Sequence, residues 1–75
     1  MTAGSKFSDG SQIFHLACGE MATVEKDVNG FWGFTTNKGY NLWEGGRETK
    51  SKKDCLTLLR GYDAQTVENN KHDIN

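Results

Sequence analysis

Three short segments of this chain end in glycine, and each sits between stretches able to form strands. They are Ala17-Cys18-Gly19, Val28-Asn29-Gly30 and Asn37-Lys38-Gly39. A three-residue hairpin loop with Gly third is a type I turn closed by a left-handed residue, where glycine has no steric penalty. Asn29-Gly30 also suits a two-residue turn, so register has to decide. With three-residue loops throughout, Leu16 faces Glu20, Asp27 faces Phe31 and Thr36 faces Tyr40. Counting outward, Val24 then faces Phe34, and Phe34 faces Leu42. One side of the sheet becomes Phe14, Leu16, Ala22, Val24, Trp32, Phe34, Tyr40 and Leu42. A two-residue turn at Asn29-Gly30 instead sets Glu25 against Phe34 and Asp27 against Trp32. A one-residue slip turns a whole strand over, so apolar matching selects the first register. The reading is an antiparallel meander with strands near 12–16, 20–27, 31–36 and 40–44.

A helix follows. Ser51-Lys52-Lys53-Asp54 has the form of a capping box, with Ser51 as N-cap. Cys55, Leu58, Leu59 and Tyr62 then fall at i, i+3, i+4 and i+7, a single apolar stripe. Gly61 suits a C-terminal stop, with continuation by a turn or more past Tyr62 as the alternative. The expected class is α+β: a four-stranded antiparallel β-meander with one C-terminal α-helix packed on one face. The chain has 75 residues and room for one domain. Residues 1–10 and 63–75 are polar and low in apolar surface, and both are expected to be disordered tails. That leaves residues 11–62 as a single ββββα domain.

One helix covers one sheet face. The opposite face reads Ile13, His15, Met21, Thr23, Glu25, Phe31, Gly33, Thr35, Asn41 and Trp43. Gly33 lies opposite Trp43, and an aromatic laid over a cross-strand glycine stabilises a sheet. The sharper use of this face is recognition, since exposed aromatics and Met rimmed by polar groups mark protein interfaces. The partner-binding residues expected are Trp43, Phe31, Met21, His15 and Ile13. The partner is another protein or a second copy in a homodimer, which would help a core this small.

Nucleic acid is the rival ligand. The 9 Lys and Arg against 10 Asp and Glu give a net charge of −1, unlike the strongly basic balance of a general polyanion binder. The outer face has no Lys or Arg. Cations gather instead at Arg47, Lys50, Lys52 and Lys53, the contacts an anion or nucleic acid would use beside a Gly-Gly loop and a helix start. The stretch is not a P-loop, because G-x-x-x-x-G-K-[ST] is absent.

Catalysis and metal binding find little footing. His15, Cys18, Cys55 and His72 lack paired zinc spacing. His15 near Cys18 has no third residue placed by a motif. No catalytic residue, metal or cofactor is expected. Two cysteines without a secretory h-region argue against a disulfide scaffold, and no apolar run is long enough for a membrane helix. The expectation is a cytoplasmic, non-enzymatic regulator or inhibitor of the kind a phage or bacterium encodes.

Gly30-Phe31-Trp32-Gly33-Phe34, Asn37-Lys38-Gly39 and Ser51-Lys52-Lys53-Asp54-Cys55 together resemble the YegP-like family of small uncharacterised repeat domains, over about residues 27–60. The resemblance implies an aromatic strand, an Asn-x-Gly turn, a further strand and a Ser-Lys-led helix. The family's usual tandem copy is not visible here, and Thr49-Lys50 replaces its Gly-Tyr. A looser similarity in element order links the chain to three-stranded-sheet DNA binders.

Overall fold

A computed structural model describes the backbone of residues 1–73 and the side chains of residues 1–69. Four antiparallel strands form one sheet in sequence order: β1 (Thr2–Lys6), β2 (Gln12–His15), β3 (Met21–Lys26) and β4 (Trp32–Thr36). A single helix, α1 (Lys52–Asp73), follows. The class is α+β, a four-stranded meander with a C-terminal helix.

The turns set the register. At each, the residue before the loop donates its N–H to the carbonyl four residues on, and the loop glycine donates back. Asp27 N–H reaches the Phe31 carbonyl at 2.8 Å, and Gly30 N–H reaches the Asp27 carbonyl at 3.1 Å. The Leu16–Glu20 and Thr36–Tyr40 pairs repeat the pattern. So does Phe7–Ser11, a fourth copy, with Ser8-Asp9-Gly10 as its loop. The four glycines have φ between 89° and 96°, the left-handed region that β-carbons disfavour. Val24 faces Phe34 and Phe14 faces Ala22, as the apolar matching requires.

The fourth turn corrects the expectation of a disordered N-terminal tail. It folds Thr2–Lys6 back onto β2, with Ala3 opposite Phe14 and an irregularity between Ala3 and Lys6. Thr-Ala-Gly-Ser-Lys offers no apolar alternation, so backbone pairing rather than side-chain burial holds this edge strand.

The expected strand at 40–44 does not form. Register survives for one bridge, Thr35 with Asn41, and Leu42 N–H donates to the Phe34 carbonyl at 3.0 Å. The chain then turns. Asn41 Oδ1 accepts the Trp43 N–H at 2.9 Å, and Gly45 and Gly46 donate back to the Leu42 and Trp43 carbonyls. The side chain of Asn41 competes with the ladder, as short polar side chains do. The return stretch ends where Thr49 pairs with Trp32.

The core lies between the sheet and α1. Phe34, Val24, Leu42, Cys55 and Leu59 are fully buried, with Phe14, Leu16 and Ala22 beside them. Ser51 caps the helix, accepting the Asp54 N–H on its Oγ at 3.1 Å. Gly61 does not stop α1; the helix runs on to Asp73. The reason is tertiary. Just past Gly61, the Tyr62 hydroxyl donates to Glu20 Oε1 at 2.9 Å. Next to it, the buried Asp63 carboxylate accepts the N–H groups of Ala17 at 3.0 Å and Cys18 at 3.1 Å. Packing of this kind carries helices through poor local sequence. The expected tail at 63–75 is therefore helical through Asp73, and Ile74 and Asn75 lie outside the described residues.

Replacing Asp63 removes two charge-assisted bonds and strands two turn amides. Asp63→Ala should lower unfolding free energy by about 2–3 kcal/mol in urea titrations. Amides after Gly61 should then exchange with solvent faster than in the parent chain.

Candidate functional site

The sheet face opposite α1 is built by strand alternation. Pairing places Thr2 beside His15, His15 beside Met21, Ile13 beside Thr23, Thr23 beside Thr35, and Glu25 beside Gly33. His15 is exposed, Met21 is 42% exposed, and Ile13 is half-buried among its neighbours. No lysine or arginine belongs to this set.

Trp43 completes the face from the return stretch. A β-carbon built on Gly33 would fall within 2.7 Å of Trp43 Cζ2 and 2.8 Å of its Nε1. The indole therefore lies directly on the Gly33 backbone, and only glycine leaves room for it. This contact makes Trp43 half-buried and fixes it as part of the face. Phe31 is half-buried just before β4, its N–H donated to Asp27 Oδ1 at 2.9 Å. Its parity matches Gly33 and Thr35. At the other end, Met21 is anchored through its backbone: its N–H donates to Asn37 Oδ1 and its carbonyl accepts the Asn37 N–H, both at 3.0 Å.

The basic cluster divides. Arg47, Lys50 and Lys53 are exposed. Lys52 turns back on the protein, donating to the Gly10 carbonyl and to Gln12 Oε1, each at 3.2 Å. Its ammonium also lies 5.7 Å from the Trp32 ring centroid, and that of Lys26 lies 5.8 Å from it. Such cation–π contacts further engage Lys52 within the fold.

His15 and Cys18 are not brought together. His15 is on the outer face, whereas Cys18 packs at the core margin with its thiol 3.5 Å from Glu20 Oε2. Among the described residues no three His, Cys, Asp or Glu side chains converge as metal ligands.

One polar cluster was not visible in the sequence pattern: Glu20, Tyr62 and Asp63, with Cys18 at its edge. Glu20 and Asp63 are both buried and both hydrogen-bonded. The Met1 ammonium lies 3.8 Å from Asp63 Oδ2. The available signal was spacing: Asp63 continues the row Cys55, Leu59 at i+4, so its carboxylate belongs to the buried stripe. Burial pushes the Tyr62 phenol up from its ordinary pKa, with the Glu20 carboxylate adding to the shift. Burial likewise raises the Cys18 thiol, and pushes Cys55 up to about 11. Both shifts favour the protonated thiol.

Comparison with family models, curated proteins and solved structures returns no match. The functional reading therefore stands on geometry.

Gly33→Val should push the indole off the sheet while the strands persist. We expect the Trp43 indole N–H resonance to move toward its unfolded-chain position, with a loss of about 1–3 kcal/mol from the forced contact. Alkaline titration supplies a second check. The raised pKa of the Cys55 thiol means the folded chain holds that proton more tightly than the unfolded one, so this stabilisation is present below the ordinary thiol value of 9.0 and is lost as pH climbs toward about 11. The urea midpoint should fall across that window, and less steeply in Cys55→Ala.

Proposed function

We propose that this chain is a small non-enzymatic binding module that regulates or inhibits another protein by docking on the uncovered sheet face. The observation that carries the reading is the one-sided cover: α1 packs on one face of four strands, and the other presents Met21, Ile13 and a Trp43 seated on Gly33. Threonines, His15 and Glu25 supply a polar rim. An exposed Met at one end of the face and a Trp held on Gly33 at the other suit an interface, because little side-chain freedom remains to be lost at the Trp. A second copy of the chain is the simplest partner, as an isologous contact buries the same patch twice. The resemblance to YegP-like domains adds a fold-level parallel and no activity.

Nucleic acid is less well supported. Phosphate contacts supply most of such affinity, the outer face has no Lys or Arg, and Lys52 is engaged within the fold. Among the described residues no helix is long and apolar enough to cross a membrane.

Met21→Glu places a charge on the face without touching the core. The parent chain should sediment as a dimer or retain a partner from its host's lysate, and Met21→Glu should do neither while keeping its circular dichroism. A monomeric parent with no retained protein, or unchanged association in Met21→Glu, removes the reading. A gel shift at low salt that weakens steeply with added salt would favour nucleic acid instead.

A further inference from the structure

On the helix side, a groove of about 470 Å³ runs between α1 and the return stretch. Its helix wall is a row at i+4 spacing: Thr57, Gly61, Gln65 and Asn69. From Thr57 to Asn69 the helix rises about 18 Å, the span of roughly five residues of extended chain. Tyr40 and Tyr62, with ring centroids 4.4 Å apart, line it as well.

Three features of this groove are unused by the fold. First, Arg47 is the one charged residue in its lining, and the guanidinium has no hydrogen-bond or ion-pair partner among the described residues. Second, the side-chain amides of Gln65 and Asn69 and the Tyr40 hydroxyl are also without partners among the described residues. An amide donates and accepts at once, which is what a peptide backbone needs from a neighbour. Third, Gly61 sits inside a long helix, where glycine is the poorest former after proline. A β-carbon there would meet nothing within 4 Å, so no internal packing requires glycine. What a glycine leaves on a groove wall is flat backbone open to close approach.

We propose that this groove binds an extended, acidic peptide segment of a partner protein. The peptide's backbone runs along this row, over Gly61 and past the amides of Gln65 and Asn69, and one carboxylate pairs with Arg47. Arg47 belongs to the return stretch, five positions before α1 begins at Lys52. A single cation in an otherwise neutral groove selects one negative charge, and guanidinium takes a carboxylate in bidentate fashion. The site is separate from the sheet face and does not depend on that reading.

The test uses the full chain immobilised, with acetylated and amidated hexapeptide pools that fix Glu, Gln or Lys at each position in turn. Glu pools should be retained at least tenfold over Lys pools, and Arg47→Glu should reverse that order. Gly61→Ala should raise the thermal midpoint and cut retention several-fold, while Gly61→Phe should abolish retention with unchanged helical circular dichroism. Met21→Glu, which alters the separate sheet face, should leave the order of pool retention as in the parent chain. The proposal is overturned by equal retention of all three pool types, by no retention, or by a lower midpoint in Gly61→Ala. Retention that survives Gly61→Phe overturns it too, including retention lost only in Met21→Glu, which would put the peptide on the sheet face.

Discussion

The carboxylate of Asp63 holds the two halves of this molecule together. It accepts two amide hydrogens from the loop joining β2 and β3, and it comes from the fourth turn of α1. Charge-assisted bonds to backbone amides are among the stronger ones available, and burial makes each costly to lose. Much else follows from this anchor. With Asp63 seated, Tyr62 reaches Glu20, and its ring meets those of Phe34 and Tyr40. The helix passes Gly61 because the residues beyond it are held, not because the local sequence favours continuation.

The parts of the fold legible in the sequence were those fixed by local rules. Gly19, Gly30 and Gly39 announced their loops, apolar matching chose the register, and Ser51 announced the helix start. Trp43 over Gly33 was legible for the same reason, as two counted positions that meet across a turn. What stayed hidden depends on partners far along the chain. Thr2–Lys6 has no apolar rhythm, so only the loop Ser8-Asp9-Gly10 hinted that it pairs. The end of α1 was hidden because Gly61 and the polar residues after it read as a stop, while the contacts that override them come from residues 17, 18 and 20. In the 40–44 stretch, the side chain of Asn41 and the Gly45-Gly46 pair outweighed a pattern that looked like a strand.

The same division applies to the surface. A cluster of four cations reads as one basic patch when counted along the chain. Folding splits it, directing Lys52 onto Gly10, Gln12 and Trp32 and leaving Arg47 at the edge of a separate groove. The chain thus presents two unlike surfaces: a cation-free sheet face with thioether and indole groups, and an amide-lined groove with one positive charge.

The four matching loops also bear on how the chain reaches this state. Gly10, Gly19, Gly30 and Gly39 stand 9, 11 and 9 residues apart, so every strand pairs with its immediate neighbour across a minimal loop. Closing such loops costs little entropy, and hairpins form in microseconds. The contacts of Asp63 are of another kind, joining residues 46 and 45 positions apart. A meander can therefore zip up early and remain half-exposed until the helix arrives. Cooperativity in this small protein then resides in the docking of the helix, when Cys55 and Leu59 meet the sheet and Asp63 meets its loop.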